Sequence, residues 1–351
     1  MKNLVLERSA IKNNIDVVRE KAGSAVIYAV LSGNGYGAGL VDLARVLRDN
    51  GVNHFAVTEC RDAAALRKAG FVDEEVLMLR STAVREELEE LLDLNVVCAV
   101  GSYDAGVALN AIAEERSTVA EAHVQIDTGM GFGGFLTSEP EKLLSIYQYL
   151  PNVAISGTFT QFHAAGSIDT QLGEFKGAVE KIHAAGLETG ILHAAGSSVL
   201  MSGRAPELDA VRVGSAFLGR CRRHRNDGLQ TVGRGEATLE EVRWLPKGHT
   251  VGNEQLVTLR RPTRVAVLPV GYQNGLGVGD PRRSGLWDTL RRWWASRRLT
   301  VRVNGQRARV LGRPGAVETV IDVTELKCGV GDTASFEVNP LYAQGLTRQY
   351  R

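Results

Sequence analysis

Short runs of apolar and β-branched residues alternate with longer stretches whose apolar residues recur every three or four positions, and the alternation holds from residue 26 to residue 215. The short runs are Val26–Leu31, His54–Glu59, Val76–Ser81, Val96–Ser102, Ala122–Thr128, Ser156–Phe162, Gly190–Gly196 and Ala210–Ser215. Between them, stretches such as Val41–Asp49, Val84–Leu94 and Gln171–Ala185 read as helices, several of them closed by glycine. Strands alternating with amphipathic crossovers are the pattern of repeated βα units. Eight such units predict an α/β chain that closes as a (β/α)8 TIM barrel.

A barrel of this kind carries its functional groups where strands end and loops begin, on its C-terminal face. The runs lead into SGNGYGAG (Ser32–Gly39), DTGMGFGG (Asp127–Gly134), TQFHAAG (Thr160–Gly166), HAAGSS (His193–Ser198) and RVGS (Arg212–Ser215). Beyond about residue 226 the texture changes to short strands and turns, including Arg264–Val270, Thr300–Asn304 and NG turns at Asn274–Gly275 and Asn304–Gly305. The predicted division is therefore a barrel over residues 1–225 and a β-rich C-terminal domain over 226–351. Within the latter, Leu286–Arg298 reads as a cationic amphipathic helix bearing Trp287, Trp293 and Trp294. It suits packing on its own domain or on a second copy better than a membrane surface.

Composition narrows the partners. With 351 residues and 44% hydrophobic content, the chain can bury a barrel core and a second one. Forty-one Lys and Arg nearly cancel forty Asp and Glu, so no electrostatic footprint for nucleic acid or a membrane surface is expected. A small-molecule ligand is the expected partner. Cys60, Cys98, Cys221 and Cys328 form no CxxC pair, and no signal stretch or spanning run is visible, which predicts a cytoplasmic protein.

Six segments, in order, resemble the alanine racemase family of fold-type-III enzymes, which carry pyridoxal phosphate: NGYG (Asn34–Gly37), DTGMG (Asp127–Gly131), HAAGSS, VRVGSAFLG (Val211–Gly219), VGY (Val270–Tyr272) and RQY (Arg348–Tyr350). The resemblance implies that Tyr36, Ser197, the backbone of Gly214 and Ser215, and Tyr350 hold the cofactor phosphate. It also implies that Arg212 faces the pyridine nitrogen with His193 beside it. Tyr272 is implied as a proton-transfer group reaching across a homodimer interface.

Other positions depart from the family pattern. Ser32 stands where the family has the lysine that bonds the cofactor and moves a proton. Phe132 stands for an arginine, Gln161 for a histidine, Gly196 for an asparagine, Asn253 for a tyrosine and Asn274 for an aspartate. Ala316, Val317 and Glu318 occupy a further altered segment. These departures imply a pocket remodelled by divergence or engineering, more apolar than the family's. Pyridoxal phosphate, if bound, is then not covalently bound.

The gained polar groups suggest chemistry of their own. His163 follows the sixth strand, where a general base or a structural histidine would both fit. Glu318 in an apolar surround would have a raised pKa and could orient His163; a solvated loop glutamate is the alternative. Glu254 is a further gained carboxylate, and Tyr272 is either a working acid–base group or a relic of the scaffold. Ser32 with His163 and a carboxylate formally makes a nucleophile set, but no GxSxG elbow accompanies it. A zinc site from His163, His193 and Glu318 lacks a closely spaced ligand pair, so no metal is expected. Three functions stay open: lysine-independent acid–base catalysis on a small, largely apolar substrate; non-catalytic, non-covalent binding of pyridoxal phosphate or another phosphate compound; and residual racemisation.

Overall fold

A computed structural model describes residues 1–162, 165–221, 227–252, 257–279 and 299–351. His163, Asn253, Glu254 and the tryptophan-bearing segment at 286–298 lie outside the described residues. The chain divides into two compact units, Ser9–Thr231 and Met1–Arg8 with Val232–Arg351.

The strands in chain order begin with β1 (Lys2–Leu6), β2 (Val26–Val30), β3 (His54–Val57), β4 (Glu75–Met78), β5 (Cys98–Val100), β6 (Ala120–Asp127) and the two-residue β7 (Phe135–Leu136). They continue with β8 (Val153–Phe159), β9 (Ile191–Gly196) and β10 (Ala210–Val213). All eight apolar runs become strands. They pair in parallel in the order β4-β3-β2-β10-β9-β8-β6-β5. A parallel bridge between Leu77 and Val97 joins β4 to β5 and completes the circuit. Met78 N–H donates to Val97 O at 2.9 Å, and Val97 N–H donates to Val76 O at 2.9 Å.

Each strand of a closed parallel sheet is covered on both faces, which explains runs that are apolar almost throughout. Tyr28, Ala56, Leu77, Val97 and Ala210 pack together from neighbouring strands. The crossover helices bury one stripe each. In the helix Leu40–Asp49 the buried residues are Leu40, Leu43, Ala44, Val46 and Leu47, the three-to-four spacing of a single face. The helix Tyr103–Glu115 starts at Ser102, whose hydroxyl accepts from Ala105 N–H at 3.2 Å.

The second unit is built on one nine-stranded sheet with a separate two-stranded one. Its strands are β11 (Arg234–Thr238), β12 (Glu241–Leu245), β13 (Thr250–Val251), β14 (Val257–Thr258), β15 (Thr263–Leu268), β16 (Thr300–Val303), β17 (Gln306–Val310), β18 (Thr319–Asp322), β19 (Thr333–Glu337) and β20 (Thr347–Tyr350). The sheet order is β12-β15-β18-β17-β16-β19-β11-β1-β20, so the first strand of the chain lies between strands from its far end.

The two NG pairs fare differently. Asn304 and Gly305 adopt φ of +49° and +80° and close the β16–β17 hairpin, as the sequence predicts. Asn274–Gly275 also turns the chain, with Gly275 at φ +85°, but without joining two paired strands among the described residues. Asn274 ends the 3-10 turn Tyr272–Asn274 and is buried, accepting from Gly271 N–H at 3.0 Å and donating to Gln344 O at 2.9 Å. An aspartate could accept the first bond but could not donate the second.

Candidate active site

Four elements of the barrel unit converge at the C-terminal ends of β2, β8, β9 and β10. After β2 the backbone makes a left-handed turn, with φ of +63° at Gly33, +57° at Asn34, +62° at Gly35 and +52° at Tyr36. The GNGY sequence makes this feasible: two glycines carry no Cβ penalty, asparagine tolerates the region, and only Tyr36 is strained. Asn34 Oδ1 fastens the turn by accepting from Leu40 N–H at 2.8 Å.

The turn lays the Tyr36 phenol against Gly214. A Cβ added to Gly214 would meet Tyr36 Cε2 at 2.3 Å and its hydroxyl oxygen at 2.7 Å, so the contact requires glycine there. From the next loop, the buried Ser197 hydroxyl accepts from Gly214 N–H at 3.0 Å and Ala216 N–H at 3.3 Å. With both lone pairs engaged, its own proton is left to donate. Tyr36, Ser197, Gly214 and the neighbouring Ser215 are thus brought together. Tyr350 belongs to the other unit, where it ends β20 and lies under the Arg8 guanidinium, 5.4 Å from ring centroid to Cζ.

Below this cradle runs a polar column. Arg212, on β10, is buried and donates from Nη1 to His193 Nδ1 at 2.6 Å and to His193 O at 3.1 Å. Its Nη2 donates to Thr160 O at 2.7 Å and to Gln161 Oε1 at 2.6 Å. A guanidinium only donates, so His193 Nδ1 carries no proton, and its Nε2–H faces His123 Nδ1 at 2.9 Å. The His193 ring is stacked between Tyr28 and Phe159, at centroid distances of 5.6 Å and 5.0 Å.

Burial, and after it the Arg212 charge, holds His193 well below the usual imidazole range. The same two causes push His123 down to about 4, while burial lowers Arg212 to about 10. Both imidazoles are therefore neutral at neutral pH, and the cation is Arg212. Because His193 spends both ring nitrogens on Arg212 and His123, it has none for a metal. That removes the zinc alternative as composed. His123 was missed from sequence, although the alternation of His123, Gln125 and Asp127 with Val124 and Ile126 along β6 marks an inward polar face.

At the end of β2, the half-buried Ser32 hydroxyl accepts from Thr58 Oγ1 at 3.3 Å. The lysines of the barrel unit, Lys12, Lys21, Lys68, Lys142, Lys176 and Lys181, are exposed and sit on its helices. None is on a strand end. Gln161 is exposed, and its carboxamide passes beside Gly196, where an added Cβ would come within 3.4 Å of Gln161 Nε2. The Gln161 backbone is pinned from behind: Gln171 Nε2 donates to Gln161 O at 3.2 Å and to Thr128 Oγ1 at 3.1 Å.

Phe132 is 80% exposed on the loop after β6. That loop is ordered by Asp127, whose carboxylate accepts from the backbone N–H groups of Gly129, Met130 and Gly131.

In the second unit, Tyr272, Val317 and Glu318 lie on adjoining segments. Tyr272 N–H donates to Gly315 O at 2.9 Å and Gln273 N–H to Ala316 O at 3.1 Å. A Cβ on Gly271 would be 2.0 Å from Gly315 O, so the segments touch backbone to backbone. Among the described residues Tyr272, Val317 and Glu318 are exposed, which for Glu318 favours the solvated-loop alternative over an apolar surround.

The chain matches the family model "Alanine racemase, N-terminal domain" over residues 6–221 and "Alanine racemase, C-terminal domain" over residues 232–339. It is 30% identical over 355 residues to the alanine racemase of Carboxydothermus hydrogenoformans, covering 93% of each chain. Among solved structures, alanine racemase from D-cycloserine producing Streptomyces lavendulae superposes with a TM-score of 0.85 at 22% identity, over 100% of this chain and 97% of that one. The Bartonella henselae alanine racemase, solved with covalently bound pyridoxal phosphate, superposes at 0.82 and 20% identity over 100% and 99%. Those two likenesses bear on the fold alone. The family models account for both units, and the chain belongs to the alanine racemase family.

Proposed function

We propose that this chain binds a small phosphate compound at the C-terminal mouth of its barrel and holds it without a covalent bond. The observation that carries the reading is a contrast within one site. The Gly214 and Ala216 N–H groups engage the Ser197 oxygen and leave its proton to donate, and the Tyr36 hydroxyl lies beside Gly214, so two hydroxyls are placed together where an oxyanion suits them. Ser32 supplies only a hydroxyl, and every lysine of the barrel unit is on an outer helix.

Pyridoxal phosphate is the compound to test first, since the Bartonella henselae relative carries it. The phosphate end fits it; the covalent end does not. Ser197 and Tyr36 would hold the phosphate, and Arg212 would fix the electrostatics beneath the ring. Bound in this way, the ring would supply an electron-withdrawing group that no lysine of the barrel unit tethers.

Titration with pyridoxal phosphate should show binding that dialysis reverses, and Ser197→Ala should weaken it about tenfold, the worth of one lost hydrogen bond to an anion. Racemisation of L-alanine with added pyridoxal phosphate should stay at background. Ser32→Lys alone should not restore it, because Gln161 still occupies the space beside Gly196. Turnover at ordinary enzymatic rates by the parent protein overturns the reading, and recovery by Ser32→Lys alone would show that the other departures are incidental.

A second reading, lysine-independent acid–base catalysis on a small apolar substrate, is favoured by the joining of Tyr272 to the Ala316–Glu318 segment. With His163, these would be its proton-transfer groups. Once an activity is found, Tyr272→Phe or Glu318→Ala in a folded variant should lower it ~10²–10⁴-fold. A homodimer is part of this reading, and light scattering at micromolar concentration that finds only monomer counts against it.

A further inference from the structure

The near-neutral balance of the whole chain conceals a division between its units. Met1–Arg8 with Val232–Arg351 holds 21 Lys and Arg against 12 Asp and Glu, a formal charge of +9, whereas Ser9–Thr231 holds 20 against 28, or −8. The excess is concentrated. Residues 281–310 contain nine arginines, no lysine and a single acid, Asp288.

This stretch ends in the β16–β17 hairpin, whose register shows where three of the arginines go. Arg302 and Arg307 are direct partners across the ladder, and Arg309, two positions on and opposite Thr300, shares their face. All four residues are exposed, while the alternating Val301, Val303, Ala308 and Val310 are buried on the other side. Like charges directly opposite each other repel, so the ladder itself gains nothing from this arrangement.

Nor are the three neutralised. Arg302 Nη1 donates to Gly305 O in its own turn at 3.2 Å, and among the described residues none of the three forms an ion pair. Asp322, opposite Arg309 on β18, is engaged by Thr324, whose N–H and Oγ1 donate to Asp322 Oδ1 at 3.0 Å and 2.7 Å. By contrast, the exposed Arg80, Arg116 and Arg351 are paired with Glu87, Asp93 and Glu236.

We propose that this face of the second unit binds single-stranded nucleic acid through its phosphate backbone, independently of the phosphate site of the barrel unit. The planar guanidinium fork matches phosphate oxygens, where lysine would supply charge alone. Arg307 and Arg309 stand about 6.6 Å apart along the strand, two rises of ~3.3 Å, so the cations form an open row that suits an extended anion rather than a cup around a single one. Thr300 and the three arginines present no apolar side chain for a membrane to take up. Trp287, Trp293 and Trp294 fall in the same arginine-rich stretch, and aromatic side chains beside arginine are what single-strand binders use to stack bases.

The test is fluorescence polarisation of a labelled oligouridylate of about 20 nucleotides, longer than single-strand sites usually are, with the full chain across a salt series. Binding should weaken as salt rises, the slope of log K against log[salt] gaining about −0.7 for each phosphate contacted. Arg307→Gln with Arg309→Gln should weaken binding at least tenfold at low salt and flatten the slope by about 1.4, the worth of two contacts. Arg116→Gln with Arg204→Gln removes the same charge from the barrel unit and should leave affinity and slope unchanged, as should Ser197→Ala. Since removal of Arg307 relieves a like-charge pair at an exposed position, the hairpin variant should melt at or above the parent temperature.

An equal loss in the Arg116 and Arg204 variant overturns the inference, because bulk charge would then hold the strand. Undiminished binding by the hairpin variant overturns it too. Displacement of the strand by polyglutamate as readily as by unlabelled oligouridylate means that the face reads charge without phosphate, with the same consequence. Failure of the parent to bind the strand overturns it outright; sedimentation with phosphatidylglycerol vesicles, or a dimer that the hairpin variant loses in light scattering, would then assign the face to a membrane or to a second copy.

Discussion

The Ser197–Gly214–Tyr36 end of the barrel mouth is made mostly of backbone, whereas the Ser32–Gln161–Phe132 end is made of side chains. At the first end the donors are amides placed by the turn after β10, and the spacing depends on Gly214 lacking a side chain. A substitution there disturbs the fold. At the second end Ser32, Gln161 and Phe132 hang from strand ends and loops whose backbone is set elsewhere, by Asp127 and Gln171 among others. These positions can change with little consequence for folding. Under the proposed function, the difference is what lets the phosphate-holding end stay constant while the end at Ser32, Gln161 and Phe132 varies.

The comparison breaks most visibly at Arg212, which serves both ends. Arg212→Met leaves four buried or partly buried acceptors without their donor and should cost about 2–4 kcal/mol in urea unfolding. A loss under ~0.5 kcal/mol would mean that the column is not structural.

Acid should act through the same column. Folding pushes the His123 imidazole from its ordinary range down to about 4, through burial and the Arg212 charge, and His193 shifts in the same direction. The unfolded chain therefore takes up more protons between those values. Stability should be full above pH 6.5 and should drain away as pH falls toward 4. Denaturant midpoints across that window check the sign, and Arg212→Met should change the slope.

Gly214→Ala should come next, since the new methyl group must displace the Tyr36 ring. Overpacking of this kind costs ~1–3 kcal/mol, and phosphate affinity should fall at least tenfold. Smallest of all, Ser32→Ala and Phe132→Ser should each move stability by under ~0.5 kcal/mol. A large effect from either would erase the distinction between the two ends.

The barrel was legible because each strand is a compact apolar run, and a closed sheet needs no other signal. Tyr36, Ser197 and Arg212 were legible through motifs that carry their own geometry, such as the left-handed NGYG turn. What escaped was set by distant partners. His123 reads as an ordinary polar residue on a strand until His193 is brought within 2.9 Å of it. Asn274 looked like the first half of a hairpin turn, and only the Gln344 carbonyl, seventy residues on, makes it a buried clasp. Gln161 could be seen as a departure, but its bond to Arg212 could not.

Strand β1 carries a consequence for how the chain is made. Its neighbours in the sheet are β11, from Arg234 onward, and β20, which ends at Tyr350. At roughly 5–20 residues per second, a ribosome keeps β1 waiting for tens of seconds before the second of these partners exists. In that interval the whole Ser9–Thr231 unit can emerge and close, while Leu4, Val5 and Leu6, buried in the finished protein, stay uncovered.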